Sequence, residues 1–218
     1  MFTQEFTSPK NLPITIPIFP LSGATLLPRC KLPLNIFEPR YIDMINDALS
    51  SHRFIGMVQP DGFESNNKPS VFEVGCLGRI TSWSETEDKR YLITLTGISR
   101  FDIVDELNPT TSYRQIHARF DTYAHDFISE KSVPLENRST ITSLLERYFV
   151  LKNIEADWSG LRTAHDEDFI NMLSIVCPFR SEEKQALLQA IDLPTRANVL
   201  MAILEMSVNT EMGDGTIN

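Results

Sequence analysis

The 218-residue chain predicts an α+β fold in two parts, a small β-barrel or curved-sheet domain followed by a helical bundle. Two observations carry this expectation. Apolar residues in the first half fall in short β-branched and aromatic runs separated by turn residues, and in the second half they recur at helical spacing. Composition agrees: 42% hydrophobic and 22% charged residues are ordinary for a globular chain, and this length buries a real core.

Seven strands are expected, over residues 14–19, 31–37, 54–59, 75–83, 91–96, 99–104 and 113–120, each bounded by Pro, Gly or polar clusters. Many short strands with frequent turns favour a small barrel or curved sheets. The run Leu32-Pro-Leu-Asn-Ile-Phe-Glu-Pro-Arg-Tyr41 reads as a strand, a corner and a short helix. Pro39 suits a first helical position, because its fixed φ is already helical and its missing N–H has no partner there. Tyr41, Ile45, Ala48 and Leu49 then share one helical face, with Asp43, Asn46 and Asp47 turned away. Residues 61–70, with Gly62, Asn66, Asn67 and Pro69, read as an exposed loop, and 84–90 as a polar hairpin turn. Gly97 interrupts two strand-like runs and marks a bulge or sharp bend.

In the second half, residues 135–152 place Ile141, Leu144, Leu145, Tyr148 and Phe149 on one helical face. Residues 166–177 do the same with Phe169, Leu173, Val176 and Cys177. Ser181 is expected to cap a third helix that presents Leu187, Leu188 and Ile191, with Glu182 and Glu183 near its positive end. Pro194 starts a fourth, carrying Ala197, Leu200, Met201, Leu204 and Val208. Four amphipathic helices with brief connections make a bundle. The domains expected are therefore 12–122 and 134–208, with the boundary within 122–133 and a frayed polar tail at 209–218.

The formal charge of −9 repels phosphate backbones and anionic membranes. No window approaches the roughly 20 apolar residues of a membrane span. The first ten residues lack the basic start and apolar core of a secretory signal, so cytoplasm is the expected compartment. Cys30, Cys76 and Cys177 are odd in number, widely spaced and set among apolar neighbours. They read as buried reduced thiols rather than disulfide partners or zinc ligands.

Reaction chemistry is sparse. His52, His117, His125 and His165 show no metal-ligand spacing, and carboxylate runs such as Asp166-Glu-Asp168 read as helix-start or turn residues. Ser181-Glu-Glu-Lys184 matches an S-x-x-K string, but its companion motifs are missing. Neither a G-x-S-x-G elbow nor a glycine-rich phosphate cradle occurs. No catalytic residue, metal or cofactor is assigned.

Partner-contacting candidates are Phe37, Arg40, Tyr41, Trp83 and Trp158. Aromatic side chains at strand ends and in inter-helix loops supply large rigid contact area. The alternative for each tryptophan is a plug at the edge of a core. For Arg40 the alternative is an internal bond to Glu38 or Asp43.

Beyond these residues, the opening Ile16-Pro-Ile-Phe-Pro-Leu21, Leu26-Leu-Pro-Arg29 and the 32–41 run together resemble the Lon-protease substrate-binding domain family. Val74-Gly75 with Ile80, Leu92-Ile-Thr-Leu-Thr-Gly97 and Arg100-Phe101-Asp-Ile103 follow in the family's order. Arg180 through Leu193, continuing to Leu204-Glu205, is similar to the closing helices of its longer members. The resemblance covers residues 12–207 and implies a PUA-like β-barrel or curved sheet followed by a helical bundle. Full Lon proteases add an ATPase module and a Ser-Lys protease module, neither of which is recognisable in this sequence. The resemblance therefore implies a non-catalytic domain that binds unfolded polypeptide segments or a protein partner in quality control. Docking is expected in a groove between the two parts or on a sheet edge. RNA binding by the PUA-like part is opposed by the acidic balance, and a hydrolase or small-molecule binder is the remaining alternative.

Overall fold

The computed structural model describes residues 6, 8–65, 68–108, 110–128 and 134–214. Its strands are β1 (Thr15–Pro20), β2 (Lys31–Ile36), β3 (Phe54–Val58), β4 (Pro60–Ser65), β5 (Lys68–Val71), β6 (Val74–Glu85), β7 (Tyr91–Glu106) and β8 (Gln115–Arg119). Its α-helices are α1 (Pro39–Leu49), α2 (Arg138–Lys152), α3 (Trp158–Thr163), α4 (Asp166–Val176), α5 (Ser181–Gln189) and α6 (Leu193–Asp214). The chain forms two compact units, one of Met1–Ile128 with Pro178–Leu188 and one of Ser129–Cys177 with Gln189–Asn218.

In the first unit six strands run in the order β2-β7-β6-β3-β1-β8, and β8 pairs again with β7, so the sheet curls back on itself. Only β1 and β3 are parallel; the other pairings are antiparallel. The curl depends on β7. Residues 91–96 and 99–104, expected as two strands, form one strand with a bulge, because Leu77 pairs with Ser99 and Gly78 with Gly97, leaving Ile98 unmatched. Gly97 also lets another segment of backbone in: a Cβ there would lie 2.1 Å from the Leu27 carbonyl oxygen. Arg29 N–H donates to the Gly97 carbonyl at 2.8 Å, and Gly97 N–H donates to that of Cys30 at 2.9 Å. Alternate side chains of these strands meet inside the curl, where Ile16, Ile18, Val58, Leu77, Phe101 and Ile116 form a core.

The structure corrects several local expectations. Of the loop expected over 61–70, residues 61–65 and 68–70 instead form most of β4 and β5, which pair as antiparallel strands, and Asn66 and Asn67 lie outside the described residues. There Asp61 accepts from Phe63 N–H at 2.9 Å and from the Ser70 hydroxyl, local bonds with no hydrophobic period to announce them. The last strand is shorter than 113–120, and Asp121–Phe127 forms a 3-10 segment. Cys30 is half-buried; Cys76 and Cys177 are buried as expected.

Helix α1 starts at Pro39 and buries Tyr41, Met44, Ile45 and Ala48, as its period requires. Helix α5, read from sequence as part of the bundle, packs on the sheet through polar groups. Buried Gln185 donates to the Val74 carbonyl at 3.0 Å and accepts from buried Gln59 at 3.2 Å. Lys184 Nζ donates to the Gly23 carbonyl at 2.8 Å. Ser181 is the first helical residue rather than the cap; the Arg180 N–H is instead taken up by Glu183 at 2.8 Å. Ile191, expected on the apolar stripe, lies beyond the helix and is exposed.

One buried ion pair crosses this unit. Arg100 donates through Nε and Nη2 to both Asp126 oxygens, the latter at 2.7 Å, and its backbone N–H adds a bond of 2.8 Å. Its Nη1 donates to the Leu188 carbonyl at 3.0 Å, and the guanidinium lies over the Tyr123 ring. Such a pair persists where every donor is used, since an unpaired buried charge is far costlier than a buried pair.

In the second unit α6 packs against α2 and α4. Ile141, Leu145, Tyr148 and Phe149 of α2, Phe169 and Leu173 of α4, and Ala197, Leu200, Leu204 and Val208 of α6 are buried. Val176, expected on this face, is exposed at the end of α4. Arg138 pairs with Asp166, donates to the Leu161 carbonyl at 3.0 Å and lies over the Phe169 ring. Helix α6 runs to Asp214, past the start of the tail expected at 209–218.

Candidate functional site

The predicted contact residues fall in three places. Phe37, Arg40 and Tyr41 lie at the β2–α1 corner, where Ile36 pairs with Tyr91 of β7. Phe37 is exposed, with the Arg90 guanidinium over its ring. Tyr41 is buried and its ring packs on Phe19 at 4.3 Å, so it is a core residue that shows only an edge. Arg40 lies over Tyr41 and pairs with Glu38 at 2.8 Å, so the internal partner is Glu38; Asp43 instead accepts from Ser112.

Trp83 lies on β6 beyond the last residue paired with β3, Arg79, so only β7 flanks it. It is 49% exposed and edge-on to Tyr91 at 6.1 Å. Trp158 is not in a loop. It opens the short helix α3, is half-buried, and packs on buried Phe149 at 5.5 Å, which makes it a plug at the core edge of the second unit. A free sheet edge exists at β2, which pairs only with β7. Pro33 stands in the middle of that strand and withholds an N–H, which blunts the edge against an added strand.

Arg40 and Tyr41 also line a cavity of about 400 Å³ in the first unit, with Ile18, Pro20, Pro60, Pro69, Leu107 and Tyr113 as its apolar walls. Its rim is polar and paired. Arg114 makes two bonds to Glu106, at 3.0 and 2.6 Å, and one to the Pro69 carbonyl at 2.9 Å. Tyr113 donates its hydroxyl to Asp47 at 2.7 Å. Burial first, then the Asp47 carboxylate, pushes the Tyr113 phenol up to about 12. Burial likewise raises Tyr41. Both phenols are therefore neutral donors near neutral pH and supply no base. The lining offers apolar contact and fixed hydrogen bonds, which suits binding. Sequence reasoning found Arg40 and Tyr41 but missed Tyr113, Arg114 and the prolines. Their signal was slight: Tyr113 and Arg114 sit at the edge of an expected strand, and Pro60 and Pro69 sit in what reads as loop.

Among the described residues no group of three or more His, Cys, Asp or Glu side chains is placed to hold a metal ion, and no helix is long and apolar enough to cross a membrane. His117 pairs with Asp105 at 2.8 Å, and His52 stacks on Phe54.

Comparison with known proteins bears on the fold and the family. The model of the ATP-dependent protease La (LON) substrate-binding domain matches residues 15–206. The chain is 27% identical over 215 residues to a Lon protease of Flavobacterium johnsoniae, covering 89% of this chain and 24% of that protein. It is 25% identical over 201 residues to Lon protease 2 of Myxococcus xanthus, with 89% and 24% covered. The chain thus spans about a quarter of the length of the curated relatives it matches. The crystal structure of a Lon N-terminal domain protein from Xanthomonas campestris superposes with a TM-score of 0.60 at 20% identity, over 86% of this chain and 97% of that one. The N-terminal domain of a Mycobacterium avium complex Lon protease gives 0.59 at 12% identity, over 88% and 98%. These two structures share the fold described above. With its strands, its α1 corner and all but the end of its last helix inside the matched span, this chain belongs to the ATP-dependent protease La (LON) substrate-binding domain family.

Proposed function

We propose that this chain is a non-catalytic domain that binds unfolded polypeptide segments or a protein partner, acting in cytoplasmic protein quality control. The observation that carries the reading is the cavity walled by Ile18, Pro20, Tyr41, Pro60, Pro69 and Tyr113, whose rim cations Arg40 and Arg114 are already paired with Glu38 and Glu106. Such a pocket accepts an apolar side chain of an extended segment without leaving a charge unpaired. Membership of a family described as the substrate-binding domain of an ATP-dependent protease supports the same reading. The neutral phenols and the paired rim support binding without turnover. Phe37 and Trp83 are further exposed apolar residues of the same unit.

The test is fluorescence anisotropy with a labelled, permanently unfolded carboxymethylated polypeptide. Saturable binding is expected, with at least about tenfold loss in Ser112→Trp, an exposed rim position whose new ring fills the cavity mouth. Absence of saturable binding, or equal binding by the variant, overturns the assignment to this cavity.

A further inference from the structure

A second cavity in the first unit, of about 420 Å³, has the opposite electrostatic character. It is lined by Lys10, His52, Arg53 and Arg79, by the polar residues Asn11 and Ser51, and by Phe6, Leu12, Pro13 and Phe54. Among the described residues no carboxylate lines it, although the whole chain has 29 acidic residues against 20 Lys and Arg. The floor is apolar: Leu12 and Phe54 are buried, and the Phe6 and Phe54 rings meet edge-on at 5.2 Å. The Arg79 guanidinium lies over Phe6, and His52 stacks on Phe54 with the ring planes 29° apart.

The cations are not explained by the end of α1 nearby. Helix C-termini attract positive side chains through their unsatisfied carbonyls, but here those carbonyls have other donors. Asn46 and Ala48 accept from the backbone N–H groups of Ser50, Ser51 and Arg53, and Asp47 accepts from both serine hydroxyls. The Asp47 carboxylate is held by Tyr113. Among the described residues, neither Lys10 nor Arg53 has a side-chain ion pair. Arg53 moreover sits at φ 62°, a left-handed conformation unfavourable for a residue with a Cβ. Its N–H bond to Ala48 at 2.8 Å holds the backbone in this turn, which places the guanidinium at the cavity.

We propose that this cavity binds an oxyanion, phosphate or carboxylate, carried on a flat apolar group that lies against Phe6 and Phe54. Lys10 and Arg53 supply charge-assisted hydrogen bonds to the anion, His52 and Arg79 flank it, and the rings cover the apolar body. The site is separate from the Tyr41–Tyr113 cavity, and the proposal does not rest on polypeptide binding there.

The experiment is calorimetric titration of the full chain with phenyl phosphate, benzoate, inorganic phosphate and neutral phenol. Arg53→Gly combined with Lys10→Ala removes both unpaired cations, and glycine accepts the left-handed backbone, so circular dichroism and thermal midpoint are expected to stay at the parent values. Phenyl phosphate, benzoate or both bind the parent chain saturably, more weakly at higher salt, and about tenfold or more weaker in the double variant. The stronger of the two identifies the anion. Inorganic phosphate binding as well as phenyl phosphate removes the role of the rings. Phenol binding as well as the anions, unchanged affinity in the folded double variant, or no binding by any anion overturns the proposal.

Discussion

Two cavities of the sheet unit are nearly equal in size, about 400 and 420 Å³, and differ in the charges that line them. Around Tyr41 and Tyr113 the arginines are matched within the fold, Arg40 with Glu38 and Arg114 with Glu106. Around Phe6 and Phe54 four basic side chains converge, and among the described residues no acid lines the wall. Volume alone therefore says little about the occupant. A rim whose arginines are paired within the fold suits a neutral apolar segment, and a wall rich in basic groups suits an anion, because desolvating a charge is tolerable only beside its opposite.

The comparison assumes a rigid scaffold beneath both cavities, and the most damaging test removes it. Arg100→Met or Asp126→Asn alone is expected to cost about 3–5 kcal/mol in denaturant unfolding, since each strands or weakens a buried charge. Arg100→Met combined with Asp126→Leu is expected to cost less than either alone, and a larger loss would show that the pair does more than satisfy itself. Next is Gly97→Ala, whose Cβ would meet the Leu27 carbonyl and prise the 26–30 segment from β7. About 1–3 kcal/mol of destabilisation is expected.

A third test concerns the matched rim directly. The Tyr113 phenol is raised from 10 to about 12, so the folded state holds its proton where the unfolded chain would release it. Its contribution to stability is fully present below pH 10 and is lost as pH rises toward about 12. Tyr113→Phe should remove the portion of this alkaline decline that the parent shows, and phenolate absorbance should report one tyrosine titrating late. The smallest change is expected for Glu38→Gln. Its partner Arg40 is 55% exposed, so thermal unfolding should register less than about 1 kcal/mol. A larger loss would mean that the rim pairs organise the cavity as well as neutralise it.

Much of this architecture was legible from local pattern. The period change, Pro39 at the first turn of α1, the 84–90 turn and the Gly97 bulge each follow from the backbone preferences of particular residues. Arg40 and Tyr41 were singled out because they follow the Glu38-Pro39 corner. Tyr113 and Arg114 were not, because they join the cavity only where the curled sheet carries them beside α1. Helix α5 misled for a related reason. Leu187 and Leu188 announce an amphipathic helix but do not say which surface it covers, and the choice is made by Gln59 and Gln185 meeting in the interior.

By itself the sequence determined that this chain would be a curved sheet and a set of helices, where most of those elements begin, and which family they belong to. Local preferences act over a few residues, and period and turn chemistry report them directly. Only the tertiary structure decided that β8 returns to β7, that Arg100 finds Asp126, and that one cavity is matched in charge while the other is basic. Those outcomes depend on residues far apart in sequence, such as Gln59 and Gln185 or Lys10 and Arg79. Their meeting is set by packing and electrostatics summed over the whole fold, which no local pattern carries.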